Sequence, residues 1–254
     1  MIRQVYTGSV DKISKSNDYI WDLSIKIDMP IFFKAGQFIS LFIDDKEARP
    51  LSIASSPRLS LDENKIRLII GPKPEGNLFN FISNLKPNDP IRFRGPFGIF
   101  TLENTIFNTN NPADQQNSIT ESTNAIENKD IVFIATSTGI APLLGMTEYL
   151  ADIQYKGKVI IYFGLRFSRD IFLIEDFKKL KDRLNFEYFF NISKPEINEL
   201  EEGNIKHGYV THEVLNNQKI EDYCFICGST TTVSAITDIL KQHQFKNIFL
   251  ENYG

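Results

Sequence analysis

The stretch Ile131-Val132-Phe133-Ile134-Ala135-Thr136-Ser137-Thr138-Gly139-Ile140-Ala141-Pro142 decides the fold of this chain. Its first five residues form a continuous apolar run, which is typical of a strand buried on both faces of a sheet. The residues that follow, 141–151, predict a helix. The same alternation continues to the C-terminal end, so residues 130–254 are predicted to form a parallel α/β sheet covered on both faces. Further strands are expected at 159–163, 186–190, 223–226 and 247–251, and further helices at 171–184, 211–216 and 230–243.

The first hundred residues have a different pattern. Short apolar stretches at 19–27, 37–43, 65–70 and 91–94 are separated by Gly, Pro and Asp, which predicts a small antiparallel β-barrel. One short helix is expected at 77–85. Asn, Thr, Gln, Ser and Glu dominate between the two halves. We therefore predict a barrel domain at 1–102, a flexible linker or insertion at 103–129 and an α/β domain at 130–254.

Composition limits the class of protein. The chain has 254 residues, 42% of them hydrophobic, and a net charge of −4. No apolar run approaches the roughly 20 residues of a membrane span, and the start lacks the apolar block of a signal peptide, so we expect a cytoplasmic protein. Residues 1–102 hold 14 Lys/Arg and 11 Asp/Glu, a net +3, whereas the remainder is −7. This is no nucleic-acid profile. The basic half suits an acidic partner, and a solvated surface is the alternative.

Two cysteines form a Cys-x-x-Cys, Cys224 and Cys227. A redox dithiol or half of a zinc site is one interpretation. The other is a buried strand, in which residues three apart face opposite sides and only Cys227 emerges at the end. Because there is no second cysteine pair and the three histidines lack the spacing of metal ligands, we expect neither a metal nor a disulfide.

Two motifs carry possible chemistry. Residues 136–142 lie between a buried strand and a helix, where free backbone N–H groups and the helix dipole suit a pyrophosphate. Gly139 permits close approach, Pro142 fits the first helical turn, and Thr136 and Thr138 add hydroxyls. The alternative is an ordinary strand–turn–helix junction. In the second motif, Arg49-Pro50-Leu51-Ser52, an arginine beside a barrel strand can pair with a phosphate and the serine can bond the polar edge of a flavin. Its alternative is an edge strand with a surface arginine.

Five short motifs, in this order, make the chain resemble the ferredoxin–NADP reductase superfamily. Within it, the first motif is similar to the bacterial NAD(P)H-dependent flavin reductases, and the C-terminal one to the ferredoxin or flavodoxin reductases. The motifs are Arg49-Pro50-Leu51-Ser52, Gly95-Pro96-Phe97-Gly98, Thr138-Gly139-Ile140-Ala141-Pro142, Cys227-Gly228-Ser229 and Glu251-Asn252-Tyr253-Gly254.

The resemblance implies a role for each matched residue. Arg49 contacts the flavin phosphate and Ser52 lies near the reactive flavin nitrogen. Cys227 lies beside the nicotinamide, Glu251 assists Ser52 in electron or proton movement, and Tyr253 stacks on the flavin and moves aside for nicotinamide; a disordered end residue is the alternative for Tyr253. The remaining cofactor-binding residues that it implies are, for FAD, Pro50, Leu51, Gly76, Asn77, Leu78, Gly95 and Pro96, and, for the nucleotide, Thr136, Thr138, Gly139, Pro142 and Gly228.

The chain also departs from the family pattern. Leu51 stands where the family often has tyrosine, Phe79 stands where it often has serine or threonine, and Thr136-Ser137 replace a pair of small residues. Phe79 removes one expected pyrophosphate contact, which puts tight retention of FAD in doubt. Arg166, Ser168 and Arg169 follow the second strand of the α/β domain and suit a ribose 2′-phosphate. We therefore predict that the protein prefers NADP(H) over NAD(H).

The resemblance implies an enzyme with FAD that takes hydride from NAD(P)H and passes electrons to a small acidic carrier, ferredoxin or flavodoxin. An NAD(P)H:flavin reductase that releases free reduced flavin is the first alternative. An electron-transfer subunit of a larger oxygenase or dehydrogenase complex is the second.

Overall fold

The computed structural model describes residues 4–106, 129–197 and 201–253, and it contains two six-stranded sheets. The first sheet is antiparallel, with strand order β4-β3-β6-β1-β2-β5. It closes into a barrel because Ile53 bridges to Leu68 and the Ala54 N–H donates to the carbonyl of Arg67 at 2.7 Å. The strands are β1 (Val5–Lys15), β2 (Trp21–Ile27), β3 (Phe38–Phe42), β4 (Ala48–Ser52), β5 (Lys65–Ile70) and β6 (Pro90–Phe97).

Two helices follow strands of the barrel. Helix α1 (Pro57–Glu63) begins after Ser56, whose hydroxyl accepts from the Arg58 N–H, with proline in the first turn. Helix α2 (Asn77–Asn84) follows Gly76. The barrel encloses a core of aliphatic and aromatic side chains, among them Leu23, Ile39 and Phe93.

The second sheet is parallel throughout, with strand order β10-β9-β8-β7-β11-β12. Its strands are β7 (Ile131–Thr136), β8 (Val159–Leu165), β9 (Phe186–Ile192), β10 (Ile205–His207), β11 (Tyr223–Ser229) and β12 (Asn247–Tyr253). The helices are α3 (Leu102–Thr105), α4 (Ile140–Asp152), α5 (Ile174–Lys181), α6 (Val210–Asn217) and α7 (Thr230–Gln242). The expected architecture, an antiparallel barrel followed by a parallel α/β sheet, is confirmed.

The sheet is covered on both faces. Helices α4 and α5 pack on one face and α6 and α7 on the other, each over its own apolar cluster. Helix α4 is buried along most of its length because it lies between the sheet and the barrel. Gly145 permits this contact, since a Cβ there would meet the carbonyl oxygens of Ile53 and Ser55 at 2.9 and 3.0 Å.

Some local expectations were wrong. The predicted helix at 171–184 is only Ile174–Lys181, because a 3₁₀ turn occupies Ser168–Asp170 and Leu173 takes a left-handed conformation. Strands β1 and β10 had not been expected, whereas β4 is the edge strand given as the alternative for residues 49–52. Most of the predicted linker at 103–129 lies outside the described residues, and its first residues belong to α3. In the described part of the chain, no helix has the length and apolar character to cross a membrane.

Candidate functional site

The chain reverses its direction of progress across the parallel sheet between β7 and β11. From β7 it runs outward through β8, β9 and β10, and then returns to β11 and β12 on the other side. Ligands of open α/β sheets bind at the carboxyl ends of the strands at such a switch point. The residues that lie there are those at the ends of β7 and β11.

The loops after β7 and β11 pack backbone against backbone. A Cβ at Gly139 would collide with the carbonyl of Cys227, and one at Gly228 would collide with the hydroxyl of Thr136. The 3₁₀ turn Ser137–Gly139 leads directly into α4, with Pro142 buried in its first turn. This strand–turn–helix arrangement at the carboxyl end of β7 is the one that the sequence predicts for a pyrophosphate site.

A cleft of about 840 Å³ opens on one side of this turn. Thr136 and Arg166 line it, together with Asp170 and, from the barrel, Asn17 and Tyr19. The barrel loop is anchored there because the Asn17 amide donates to the carbonyl of Asp170 at 3.0 Å. The cleft therefore lies between the two domains and over the ends of the strands.

Two of the three residues expected at a 2′-phosphate lie near each other, since the guanidiniums of Arg166 and Arg169 both lie over the Phe167 ring. Arg166 lines the cleft, whereas Ser168 and Arg169 are outside its wall. Arg169 lies 3.7 Å from Glu196, and its guanidinium stacks 4.1 Å from the centre of the Phe167 ring. The structure thus places one cation, Arg166, on the nucleotide side.

A second cavity, of about 440 Å³, lies on the barrel side of the same turn. Thr138 and Gly71 meet at its rim, since a Cβ on Gly71 would lie 2.8 Å from the Thr138 methyl. Its lining is mostly apolar, with a few hydroxyl and charged groups, which fits the flat apolar body and polar edge of an isoalloxazine ring. The lining includes the expected residues Arg49, Pro50, Leu51, Ser52, Leu78, Thr138, Glu251 and Tyr253.

The end of the last strand joins the two domains at this cavity. The hydroxyl of Tyr253 lies 2.7 Å from Oγ of Ser52 in the barrel and close to the thiol of Cys227 in the sheet. Its ring remains about one third exposed, at 36%. The structure therefore brings Ser52 together with Cys227 and Tyr253, although Ser52 and Tyr253 are 201 residues apart along the chain.

Cys227 does not emerge at the end of its strand as expected. It is only 1% exposed, because β11 continues to Ser229 and β12 pairs beside it as far as Tyr253. Burial raises the pKa of the Cys227 thiol to about 12, so the thiol keeps its proton. Cys224 faces the opposite side of the sheet and is also buried, and both cysteines are free.

Glu251 lies beside Cys227 in the strand register and lines the flavin-side cavity. Burial raises the pKa of its carboxyl to about 7, and Oε2 has no hydrogen-bond partner among the described residues. Burial also raises the pKa of Tyr253 well above its usual value. Among Ser52, Cys227, Glu251 and Tyr253, Glu251 is therefore the side chain that gains or loses a proton near neutral pH.

An acidic residue, Glu47, lies beside Arg49, the residue expected to contact the flavin phosphate. Glu47 forms an ion pair with Arg49 and accepts a 2.6 Å hydrogen bond from the Asn77 amide. Asn77 begins α2 after Gly76, whose backbone N–H donates to Lys73. Glu47 thus binds two residues that the resemblance assigns to the flavin, and the sequence analysis had not singled it out.

Gly95 and Pro96 lie behind the cavity. Neither lines it, and Gly95 packs against Ile39 with φ 157°. Their neighbour Phe97 stacks on Phe38, which does line the cavity, with ring centres 5.5 Å apart. These residues support the wall and do not form it, because β6 lies next to β3 in the barrel.

The far side of the domain contact is a charged cluster that sequence reasoning missed. Arg67 on the barrel bonds Asp22 and, at 2.5 Å, Asp176 of α5. Next to it, the Ser56 N–H donates to Glu148 of α4 at 2.8 Å. These partners are 45, 109 and 92 residues apart, so no local pattern signals them.

Comparisons with known proteins agree with this arrangement. The model of the oxidoreductase FAD-binding domain matches residues 9–102, and that of the oxidoreductase NAD-binding domain matches residues 133–238. A subunit of the Na(+)-translocating NADH-quinone reductase of Methylococcus capsulatus is 27% identical over 192 residues, 72% of this chain and 42% of that protein. The chain spans about half the length of the curated relatives it matches.

Two solved structures show the same fold. A cytochrome P450 reductase from Amycolatopsis superposes with a TM-score of 0.77 at 20% identity, over 98% of this chain and 69% of the other. A ferredoxin NADP+ reductase from Neisseria gonorrhoeae, with bound FAD and NADP, gives 0.75 at 17% identity over 98% of both chains. With both domain models matched in order and this fold, the chain belongs to the ferredoxin–NADP reductase superfamily and is an FAD-dependent NAD(P)H oxidoreductase.

Proposed function

We propose that this enzyme passes electrons from NAD(P)H through FAD to an external one-electron carrier of the ferredoxin or flavodoxin kind. One observation carries the proposal: a single turn of chain separates the two cavities. Thr136 and Ser137 line the nucleotide-side cleft, and Thr138 lines the flavin-side cavity. Ligands in the two cavities meet at this turn.

A bound flavin would supply the chemistry, because it takes up a hydride and gives up electrons singly. The residues of this chain position and cover that site. Ser52 offers a hydroxyl to the polar edge of the ring, and Tyr253 closes the cavity from the sheet side until a nicotinamide displaces it. Glu251 holds a proton near pH 7 beside them.

The test is cytochrome c reduction by the flavin-loaded protein with NAD(P)H. Addition of ferredoxin or flavodoxin is expected to raise the rate well above that with the enzyme alone. A rate that stays at background with every acidic carrier contradicts the proposal. Ferricyanide, which accepts electrons without docking, serves as the control that the flavin is reduced.

A second candidate is an electron-transfer subunit of a larger complex. It is favoured by the names of the relatives, which are subunits of Na(+)-translocating NADH-quinone reductases, and by the share of their length that this chain spans. Such a subunit would elute with partner proteins in a native pull-down. A monomer that is fully active on a diffusible carrier contradicts this candidate.

The phosphate end of the flavin site favours the remaining candidate, an NAD(P)H:flavin reductase. Phe79 has no hydroxyl to offer a pyrophosphate. Its ring turns into the barrel and packs edge-on against Trp21, with ring centres 5.5 Å apart. Glu47 adds negative charge at the same end. Purified protein with one tightly bound flavin per chain contradicts a flavin-releasing reductase.

The preference for NADPH remains a prediction. It depends on Arg166, the one of the three expected residues that lines the wall of the cleft. The ratio of kcat/KM for NADPH to that for NADH measures it. Arg166→Ala is expected to lower the efficiency with NADPH and to change that with NADH little. A wild-type preference for NADH would overturn the prediction.

A further inference from the structure

Asn191 is a buried amide with nothing to bond. It lies at the carboxyl end of β9, is 1% exposed and lines the wall of the nucleotide-side cleft. Neither Oδ1 nor Nδ2 has a hydrogen-bond partner among the described residues. Buried amides are almost always bonded, since leaving both ends unpaired destabilises the fold. An unpaired amide on the wall of a cleft therefore points to a ligand.

The position of Asn191 identifies the end of the cleft. Strand pairing sets Thr136 of β7 beside Gly164 of β8, and Gly164 beside Asn191. Adjacent strands are about 4.8 Å apart, so Asn191 lies about 10 Å from Thr136. The flavin-side cavity lies across the 136–138 turn from this cleft, with Tyr253 and Glu251 on its wall. Asn191 is thus at the end of the cleft that is remote from the flavin.

The chemistry of the amide limits the ligand. A carboxamide presents one acceptor and two donors side by side, so it pairs with an edge that also has both. A phosphate only accepts, and a ribose has no such planar edge. A nicotinamide dinucleotide has two candidates, the carboxamide of the nicotinamide and the amino-nitrogen edge of the adenine. Because the nicotinamide must lie against the flavin, the adenine is the group left for Asn191.

The surroundings suit a flat base. Val210 at the start of α6 lines the cleft beside β8, whereas Ile236 of α7 lines it from the side of β11, and both are almost fully buried. Val210 packs over Gly164, since a Cβ at that glycine would lie 3.0 Å from its methyl. Apolar walls with one polar group at the end are typical of a site that recognises the edge of an aromatic ring.

We propose that Asn191 is a specificity-determining residue that recognises the adenine of NAD(P)H through paired hydrogen bonds, accepting from the N6 amino group and donating to N7. The inference rests on the proposed use of NAD(P)H and adds which end of the nucleotide is read and by which side chain. Hypoxanthine has an oxygen in place of the N6 amino group, so its O6 and N7 are both acceptors and cannot form the paired bonds with a carboxamide.

The experiment compares adenine and hypoxanthine ligands. Binding of AMP and IMP is measured by calorimetry, and kcat and KM are measured for NADH and nicotinamide hypoxanthine dinucleotide. The wild type is expected to favour the adenine ligand about tenfold or more in both affinity and KM, with similar kcat. Asn191→Ala and Asn191→Leu, whose side chain branches as that of asparagine does, are expected to lose this preference. They should bind the adenine ligands more weakly and the hypoxanthine ligands equally well.

Thr237→Val is the matched control. Thr237 is also buried with an unpartnered hydroxyl, but it lies on α7 outside the wall of the cleft. It is expected to keep the full adenine preference. Thermal unfolding checks that the three variants are folded.

The outcomes distinguish failure of adenine recognition from failure of the proposed function. Equal affinity of the wild type for AMP and IMP overturns the recognition of adenine, and so does a preference that survives in both Asn191 variants. If the wild type neither binds nor oxidises any nicotinamide dinucleotide, the proposed function itself fails. A wild type that oxidises NAD(P)H without distinguishing the bases leaves the function standing and removes only the role of Asn191.

Discussion

The polar contacts between the barrel and the sheet domain differ between the cofactor side and the far side. At the cofactor side they are neutral hydrogen bonds, from Ser52 to Tyr253 at 2.7 Å and from Asn17 to the carbonyl of Asp170 at 3.0 Å. On the far side, Arg67 bonds Asp22 within the barrel and Asp176 of α5 across the contact, and the Ser56 N–H donates to Glu148. Charge-assisted hydrogen bonds are roughly twice as strong as neutral ones. We therefore expect the far side to hold the domains together more firmly than the cofactor side does.

This division suits a reaction in which two ligands must meet and then separate. A rigid far side keeps the two cavities aligned across residues 136–138. In the proposed function, a weak contact at Tyr253 lets a nicotinamide enter without moving a domain. Substitutions on the far side are therefore expected to have the largest effects, and those at the cofactor side smaller ones.

Arg67→Ala should destabilise the fold by about 4 kcal/mol, because it leaves Asp22 and Asp176 as unpaired carboxylates at a largely buried position. The free energy of unfolding from urea titration measures it. Arg58→Ala is the control, since Arg58 pairs with Asp62 on the open surface, and it should leave the urea midpoint unchanged. Equal midpoints for the two variants would mean that the far side does not fix the domains.

Glu148 should make the stability depend on pH. Burial raises its pKa to about 7 in the folded protein, whereas the unfolded chain has the usual value near 4.5. The folded state thus binds the proton more tightly, so its contribution is complete below about pH 4.5 and is lost as pH rises through 7. Relative to wild type, Glu148→Gln should gain about 2.5 kcal/mol between pH 5 and pH 8.

Urea unfolding at the two pH values tests this. The Gln variant keeps an acceptor for the Ser56 N–H, so the comparison isolates the charge. Glu63→Gln, on the exposed end of α1, should follow the wild type at both pH values. A Glu148→Gln variant that loses the same stability as wild type on going to pH 8 would show that this carboxyl is not the cause.

The two contacts also differ in what the sequence reveals. The apolar strand at 131–135 and the Gly139 turn predict the parallel sheet and its switch point, because both signals are local. The partners of Arg67 are not predictable, since ion pairs form between distant segments only after both domains fold. Strand β1 was missed because most of its residues are exposed. The burial of Cys227 was missed because it depends on how far β12 extends.

On the cofactor side, Ser52→Ala should slow reduction of the flavin by NAD(P)H about 30-fold, equal to the loss of one hydrogen bond of about 2 kcal/mol. Stopped-flow absorbance of the flavin measures the step directly. Ser40→Ala, on the neighbouring strand, is the control for removal of a hydroxyl from the barrel. An unchanged rate in Ser52→Ala would show that the hydroxyl is not used, while an altered urea midpoint would show a structural effect instead.

A chain ending at Asn252 lacks the ring of Tyr253 and should bind the nicotinamide nucleotide about tenfold more tightly, because nothing has to be displaced. Titration of the flavin spectrum with NADP+ or NAD+ gives the affinity. Tyr253→Phe keeps the ring but loses the bond to Ser52, so its affinity for the nucleotide should lie between those of the wild type and the truncated chain. If truncation leaves the affinity unchanged, Tyr253 does not cover the nicotinamide position.

The smallest effect is expected at the phosphate end of the flavin site. Glu47 is bound by Arg49 and Asn77, so a flavin phosphate must displace its carboxylate and then lie near it. Glu47→Gln should therefore tighten FAD binding about fivefold, a gain of about 1 kcal/mol that shrinks in high salt.

Riboflavin provides the matched control for Glu47, because it has the same ring without a phosphate. Its affinity should be equal in wild type and Glu47→Gln. If the affinity for riboflavin rises in Glu47→Gln as much as the affinity for FAD, the carboxylate acts on the ring or on the fold, and the charge argument fails. If neither affinity changes, Arg49 and Asn77 release Glu47 and bind the phosphate with no net change in free energy. The expected weak retention of flavin would then depend on Phe79 alone.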